Sequence, residues 1–163
     1  MPREFFDKYV LRAFNDFCRN PNDEYLAITA VTYANIMAEW MWHHCKGTSH
    51  VYGAVTESQY RDALTSKECG DFGLLRDVAD GFKHVRLTQR PKSRRVSSAD
   101  QTGAKPVRWM NATGEEVTWL NDAGDKVTWV SAIIIELDDG STRPLLSMLA
   151  DVVAMWDRLS QQV

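Results

Sequence analysis

The chain has 163 residues, of which 44% are hydrophobic and 25% are charged, and its formal net charge is −3 at pH 7. This length is enough for one domain with a buried core, and the composition is that of an ordinary globular protein. The acidic balance argues against a protein that coats nucleic acid with its whole surface, although it leaves room for a local basic patch. No apolar stretch is as long as a membrane span, so we expect no membrane contact, and the early acidic residues argue against a secretory signal.

Three cysteines, Cys18, Cys45 and Cys69, are odd in number and follow no paired spacing. We therefore predict reduced thiols without a disulfide, in a cytoplasmic protein. The sequence also lacks a glycine-rich phosphate loop and a zinc-finger spacing, so we expect no cofactor and no bound metal.

The helical half of the chain, residues 1–87, has apolar residues at three- and four-residue steps. This period predicts four helices, at residues 3–19, 24–46, 57–66 and 71–87. The second helix is apolar almost all round, so we expect it to be central and covered on most sides. Gly81 lies inside the fourth helix, where glycine costs about 1 kcal/mol relative to alanine. It suggests a close helix crossing or tight access to a site.

Residues 88–106 are polar, basic and poor in apolar side chains. We interpret them as a flexible loop between the helical half and a β half, residues 107–163. The end of the β half, after Pro144, has the apolar stripe of a last helix, and proline suits the first turn of a helix.

A ten-residue repeat occupies the start of the β half. Its copies begin at Val107, Val117 and Val127. A tryptophan follows each valine by two residues, and the first two copies have glycine at their eighth position, Gly114 and Gly124. A three-residue hairpin loop that ends in a left-handed glycine explains this period. It also places all the valines and tryptophans on one sheet face as cross-strand pairs. We therefore predict a β-meander whose Trp/Val face belongs to the core, in preference to a stacking platform for bases or sugars.

Together these elements predict an α+β fold in a single domain, residues 1–163. It consists of an N-terminal bundle of about four helices, an antiparallel β-meander of three to four strands and a C-terminal helix. The last helix or the aromatic first helix would cover the tryptophan face of the meander.

Two acid–histidine pairs have the same helical spacing, Glu39 with His43 and Asp80 with His84. Side chains four residues apart lie on one face of a helix, with about 5–6 Å between their Cβ atoms. If the second and fourth helices pack face to face, the two pairs could converge in one polar pocket. The alternatives are a solvated or structural network and a metal site, because buried groups of this kind need partners.

From Lys83, near the end of the predicted fourth helix, to Arg95 the chain has six basic residues and no acid. Such a strip could bind phosphates, and the alternative is a solvated flexible loop. The candidate phosphate-binding residues are Arg86, Arg90, Lys92, Arg94 and Arg95.

The segment from Leu75 to Leu87 reads LRDVADGFKHVRL. Together with the Trp/His-rich second helix, it resembles uncharacterised bacterial proteins that are compared with HEPN-type helical domains. The resemblance covers about the first 90 residues and leaves the β half unexplained. HEPN ribonucleases cleave RNA without a metal, using an Arg and a His on one helix that are separated by four to six intervening residues. Carried over, Arg76 and His84 would be that pair, although seven residues separate them.

Two functions are consistent with these features. In the first, the pocket between the second and fourth helices acts on RNA: His84 is the general acid or base, Asp80 orients it, and Arg76 or Lys83 stabilises phosphate charge. The remaining pocket residues would be Glu39, His43 and Asp77. In the second, the protein is a non-enzymatic interaction or assembly protein. The meander edge, the first helix or the last helix would then bind a protein partner or a second copy.

Overall fold

The structure, a computed structural model, describes residues 1–84, 94–108, 110–127 and 129–163, with the backbone alone at Trp129. It confirms the predicted α+β fold, with helices, an antiparallel sheet and a C-terminal helix. The helical elements are α1 (Pro2–Phe5), a π-helical turn (Phe6–Val10), α2 (Leu11–Arg19), α3 (Glu24–Cys45), a 3-10 turn (Ser49–Val51), α4 (Glu57–Lys67), α5 (Gly70–Lys83), a second 3-10 turn (Ala99–Gln101) and α6 (Leu145–Ser160).

Helix ends follow the local signals in the sequence. The side chain of Asp23 accepts a hydrogen bond from the backbone N–H of Leu26 and caps α3, and Thr56 caps α4 in the same way. The helix predicted over residues 71–87 ends earlier, because α5 stops at Lys83 and His84 has extended backbone angles, φ −129° and ψ 92°. His84 is thus the C-cap of α5: its backbone N–H still donates to the carbonyl of Asp80 at 3.0 Å, but the predicted helix does not continue through it.

The main sheet has three antiparallel strands in the order β1–β4–β5. Its strands are β1 (Thr102–Arg108), β4 (Trp129–Glu136) and β5 (Thr142–Pro144), and a separate pair is formed by β2 (Trp119–Leu120) and β3 (Lys126–Val127). Thr102 pairs with Ile135 and Arg108 with Trp129, so β1 lies along the whole of β4. The predicted loop over residues 88–106 is thus wrong for residues 102–106, which form most of β1.

The turns of the ten-residue repeat have the predicted geometry. The backbone N–H of Asn111 donates to the carbonyl of Glu115 at 2.9 Å, and Gly114 has a left-handed φ of 81°. Trp119 pairs with Val127, as the repeat requires. The two hairpins nevertheless form an arm, residues 110–127, that extends from the main sheet instead of continuing its strand order.

The predicted Trp/Val core face is wrong for the described members of the repeat. Val117, Trp119 and Val127 are only half-buried, and none belongs to the hydrophobic core. Trp109 and the side chain of Trp129 lie outside the described residues. The sheet instead contributes Ile133 and Ile135 to the core.

Helix α6 occupies the centre of the molecule. Trp156 is fully buried, contacts Phe72 edge to face at 5.5 Å between ring centroids, and donates from Nε1 to the carbonyl of Ala34 at 2.9 Å. A buried indole N–H needs such a partner. The apolar stripe of α6 is buried and belongs to the core, so it is not a docking surface. The other side of α6 is exposed, at Ser147, Ala150, Asp151, Ala154 and Arg158.

Candidate functional site

The two acid–histidine pairs do not converge. Glu39 and His43 lie on the outer face of α3, in a shallow cleft beside Met1 and Trp40. Asp80 lines a different cleft, between α4 and α5, and the described lining residues of the two clefts have no member in common. The prediction of one pocket between the second and fourth helices is therefore wrong, because the two pairs lie on separate surfaces.

The histidines of these pairs have no organised surroundings. Glu39, His43, Lys83 and His84 are exposed, and within the described ranges their side chains take part in no hydrogen bond or ion pair. Across the same residues, no group of three or more His, Cys, Asp and Glu side chains could hold a metal ion. Among the described residues, no side chain orients His84 as an acid or base.

A polar cleft of about 700 Å³ lies between α4, α5 and the segment that leads into β1. We call it the arginine–aspartate cleft. It brings together five residues that the sequence marked as site candidates: Arg76, Asp77, Asp80, Arg94 and Arg95. The first three lie on α5, and the last two approach from the segment before β1.

Arg94 is the buried counter-ion of this cleft. Its side chain is 12% exposed, its Nη2 lies 3.3 Å from Asp80 Oδ2, and its Nε lies 3.8 Å from Asp77 Oδ1. The backbone N–H of Arg95 donates to Asp77 Oδ2 at 2.8 Å. Burial raises the pKa of Asp77, while this N–H and the two guanidinium charges oppose that shift. Arg94 thus ties the segment before β1 to α5.

The other two arginines of the cleft also have partners. Arg76 donates to Asp62 Oδ1 at 2.8 Å, and Arg95 Nη2 lies 3.4 Å from the carbonyl oxygen of Gly70. The described charged side chains that line the cleft sum to zero: Arg76, Arg94 and Arg95 against Asp62, Asp77 and Asp80. This balance gives the cleft little attraction for a phosphate.

The strip predicted to bind phosphate is only partly described. Arg86, Arg90 and Lys92 lie outside the described residues. Arg94 and Arg95 hold α5 carboxylates and a carbonyl, so their hydrogen bonds are structural.

A second polar cluster, which the sequence did not reveal, joins α5 to β5 and α6. Arg143 Nη2 lies 2.5 Å from the buried carboxylate of Asp71 and 4.0 Å from Asp151. Burial raises the pKa of Asp71, the charge of Arg143 opposes this, and Asp151 adds to it. The three residues are far apart in the sequence, so only the packing of the elements places them together.

The outer face of α3 is the largest departure from expectation. This helix was predicted to be covered on most sides, yet Tyr25 is 75% exposed, Trp40 44% and Ile28 37%. At 100° per residue these side chains lie on the face opposite the buried alanines of the helix. We define the α3 outer face by the following exposed or half-buried residues: Tyr25, Ile28, Thr29, Thr32, Ile36, Glu39, Trp40 and His43.

Aromatic rings from the first helix flank this face. The ring of Phe5 stacks on Trp40 with 4.6 Å between centroids, and Tyr9 stacks on Tyr33 at 5.5 Å. Tyr9 belongs to the π-helical turn, a feature frequent at functional sites. The stacked rings hold Trp40 in place at the surface.

No protein-family model, curated protein or solved structure matches the chain. The resemblance to HEPN-type domains stays a prediction. Among the described residues, no helix combines the length and the apolar character needed to cross a bilayer.

Proposed function

We propose that the protein is a non-enzymatic interaction protein and that the α3 outer face is its binding surface. The observation that carries the proposal is the exposure of Tyr25, Ile28 and Trp40 along one face of a helix that is apolar on nearly every side. Tyr25 and Ile28 lie one turn apart, and Trp40 lies about 18 Å further along the same face. Exposed apolar surface can mark interaction sites on globular proteins, and aromatic side chains are enriched at the energetic centres of interfaces.

The size of the patch supports this proposal. From their exposed fractions, the three side chains present roughly 300 Å² to water, worth on the order of 7 kcal/mol on burial, before the costs of association. Stacking of Trp40 on Phe5 lowers those costs, because a ring already held in place loses little freedom on binding.

The alternative, an RNA-directed site, has weaker support. The arginines of the cleft are paired with aspartates or a carbonyl, and His84 is the C-cap of α5, where no side chain of the described residues orients it. A ribonuclease needs an acid or base held near the reacting phosphate, together with unpaired donors for its charge.

The test compares the wild type with Tyr25→Asp, which places a charge on the patch at its most exposed residue. Leu120→Asp is the matched control, because Leu120 is likewise a highly exposed apolar residue, at 65%, but lies on β2. Each tagged protein is isolated from the cells that make it, together with an untagged copy of the chain, and bound proteins are quantified by mass spectrometry. We expect one protein at constant stoichiometry with the wild type and the control, and its loss with Tyr25→Asp. Equal recovery by all three, or none by the wild type, contradicts the proposal.

A further inference from the structure

We infer that the free edge of β1 is closed to the addition of a further strand, and that the side chain of Glu24 on α3 is the removable part of this closure. The closure acts at the main sheet and not at the α3 outer face, so it goes beyond the proposed function. An edge strand presents unpaired backbone groups on which another extended chain can pair, and proteins that leave such an edge open tend to associate through it.

The β1 edge is long and reaches the solvent. β1 has seven residues and is the outermost strand in the order β1–β4–β5, so one of its sides faces away from the sheet. Ala104, Pro106 and Arg108 are exposed, and a cleft of about 580 Å³ lies beside them. The opposite edge, β5, has only three residues and ends in Pro144. β1 is therefore the edge on which a further strand would form.

The alternation of hydrogen bonds along β1 determines which backbone groups face outward. In an antiparallel ladder, every second residue directs its N–H and C=O to the neighbouring strand, and the residues between direct theirs away. The N–H of Ala104 donates to a side chain of α3 and not to β4. The outward series is therefore Thr102, Ala104, Pro106 and Arg108.

The first three members of this series offer no free donor. The N–H of Thr102 donates to the carbonyl of Ala99 in the 3-10 turn before the strand. The N–H of Ala104 donates to Glu24 Oε1 at 3.1 Å, and Pro106 has no N–H. An incoming strand would set its carbonyl groups against positions that cannot donate, and burying unpaired carbonyl groups is costly.

Glu24 takes the place that a carbonyl of an added strand would occupy. Its carboxylate reaches the edge because Gly103 has no side chain: a Cβ at that position would lie 3.4 Å from Oε1. Glu24 is the first residue of α3, where the helix dipole favours a negative charge. Its contact with Ala104 depends on one side chain, whereas the other two parts of the closure belong to the backbone.

The closure bears on how this protein can associate. The sequence left the edge of the β-meander as one candidate surface for a partner or a second copy. With β1 closed and β5 short, the main sheet is protected at both edges. Association through strand pairing at β1 then requires that the Glu24 side chain leave its position.

Amide hydrogen exchange of the full chain tests the role of Glu24. Glu24→Ala removes the acceptor, and Glu24→Gln is the matched control, because it also removes the charge but keeps an oxygen that can accept from Ala104. We expect the Ala104 amide to exchange about tenfold faster in Glu24→Ala than in the wild type, and near the wild-type rate in Glu24→Gln. Equal exchange in Glu24→Ala and the wild type overturns the role of Glu24.

Opening the edge tests the closure as a whole. Pro106→Val restores the missing donor with a residue that suits strands, and it is combined with each substitution of Glu24. In sedimentation, the protein with Glu24→Ala and Pro106→Val should associate at about tenfold lower concentration than the protein with Glu24→Gln and Pro106→Val. The amides at positions 104 and 106 should become protected as it associates, and thermal unfolding checks that both proteins are folded.

The outcomes separate the parts of the inference. Equal association of the two double variants overturns Glu24 as the removable part. Association of the wild type as strong as that of both double variants overturns the closure itself. Association without protection at positions 104 and 106 overturns it too, because the contact then lies elsewhere. Exchange of Ala104 in the single variants of Glu24 remains decisive if Pro106→Val prevents folding.

Discussion

Replacing Gly73 with alanine would test how closely α4 and α5 approach beside the arginine–aspartate cleft. A Cβ at this position would lie 2.8 Å from Cγ2 of Thr65, well inside the usual 3.5–4.0 Å between carbons. Thr65 cannot turn away cheaply, because it is β-branched and its Oγ1 donates to the carbonyl of Arg61 at 3.1 Å. The added methyl group must therefore push the two helices apart or break that hydrogen bond.

The expected change in the free energy of unfolding is the difference between two opposing effects. Alanine is about 1 kcal/mol more favourable than glycine inside a helix, whereas overpacking a tight contact costs about 1–3 kcal/mol. Gly73→Ala should therefore lower the free energy of unfolding by about 1 kcal/mol. Gly81→Ala is the matched variant on the same helix. Its Cβ would lie 3.6 Å from the backbone of Ser98, an ordinary contact, so it should raise that free energy by about 0.5–1 kcal/mol.

Urea unfolding at pH 7 measures the stability of both variants. A further variant, Thr65→Ser, tests whether contact with Cγ2 of Thr65 causes the loss in Gly73→Ala. Serine removes Cγ2 but keeps the hydroxyl that donates to Arg61. Combined with Gly73→Ala, it should recover about 1 kcal/mol or more in a double-mutant cycle. Equal stability of Gly73→Ala and Gly81→Ala, or additive effects of the substitutions at Thr65 and Gly73, would refute the reasoning.

Three further predictions concern charged and titratable groups. Burial of Glu68 is outweighed by hydrogen bonds from Tyr52 and Arg158, which lower its pKa below 4.5. Glu68→Gln should therefore lower the free energy of unfolding in urea by about 1 kcal/mol at pH 7. The difference from the wild type should shrink as the pH falls through that lowered pKa, because Glu68 of the wild type then loses its charge too. A difference that stays constant with pH would contradict this. Arg94→Met should lower the free energy of unfolding by about 2–3 kcal/mol in the same assay, because the carboxylates that Arg94 contacts on α5 lose their counter-ion. An unchanged urea midpoint would show that these ion pairs do not stabilise the fold. Purified wild type and His84→Ala should both fail to cleave RNA, with or without EDTA, whereas cleavage that resists EDTA and is lost in the variant would establish the ribonuclease alternative.

The elements were predictable where a local signal defines them. The three- and four-residue steps of apolar residues located every long helix, and the recurring glycine defined the turns at Gly114 and Gly124. The start of the first strand, residues 102–106, was missed because its residues, TGAKP, include glycine, lysine and proline and show no alternation of apolar and polar types, although burial alternates along the strand in the structure. Its structure depends on pairing with β4, which is distant in the sequence.

The site was predictable only in part, for a related reason. A spacing of four residues predicts that Glu39 and His43 lie on the same face of α3. It does not predict which face of the helix packs against the core. Because α3 is apolar on nearly every side, the sequence offered no way to choose its buried face. Arg76 and Asp77 line a cleft between α4 and α5 and not the predicted pocket, and the backbone N–H that Asp77 accepts from belongs to a segment that was assigned to a loop.

The pairing of Arg108 with Trp129 has a consequence for how this chain can change length. The arm leaves the sheet at one member of this pair and returns at the other, and its hairpins are built from ten-residue units. Because the ladder between β1 and β4, from Thr102–Ile135 to Arg108–Trp129, is complete without the arm, insertions or deletions within the arm can leave its register intact. The arm is thus the segment in which related chains can differ in length while keeping the same body.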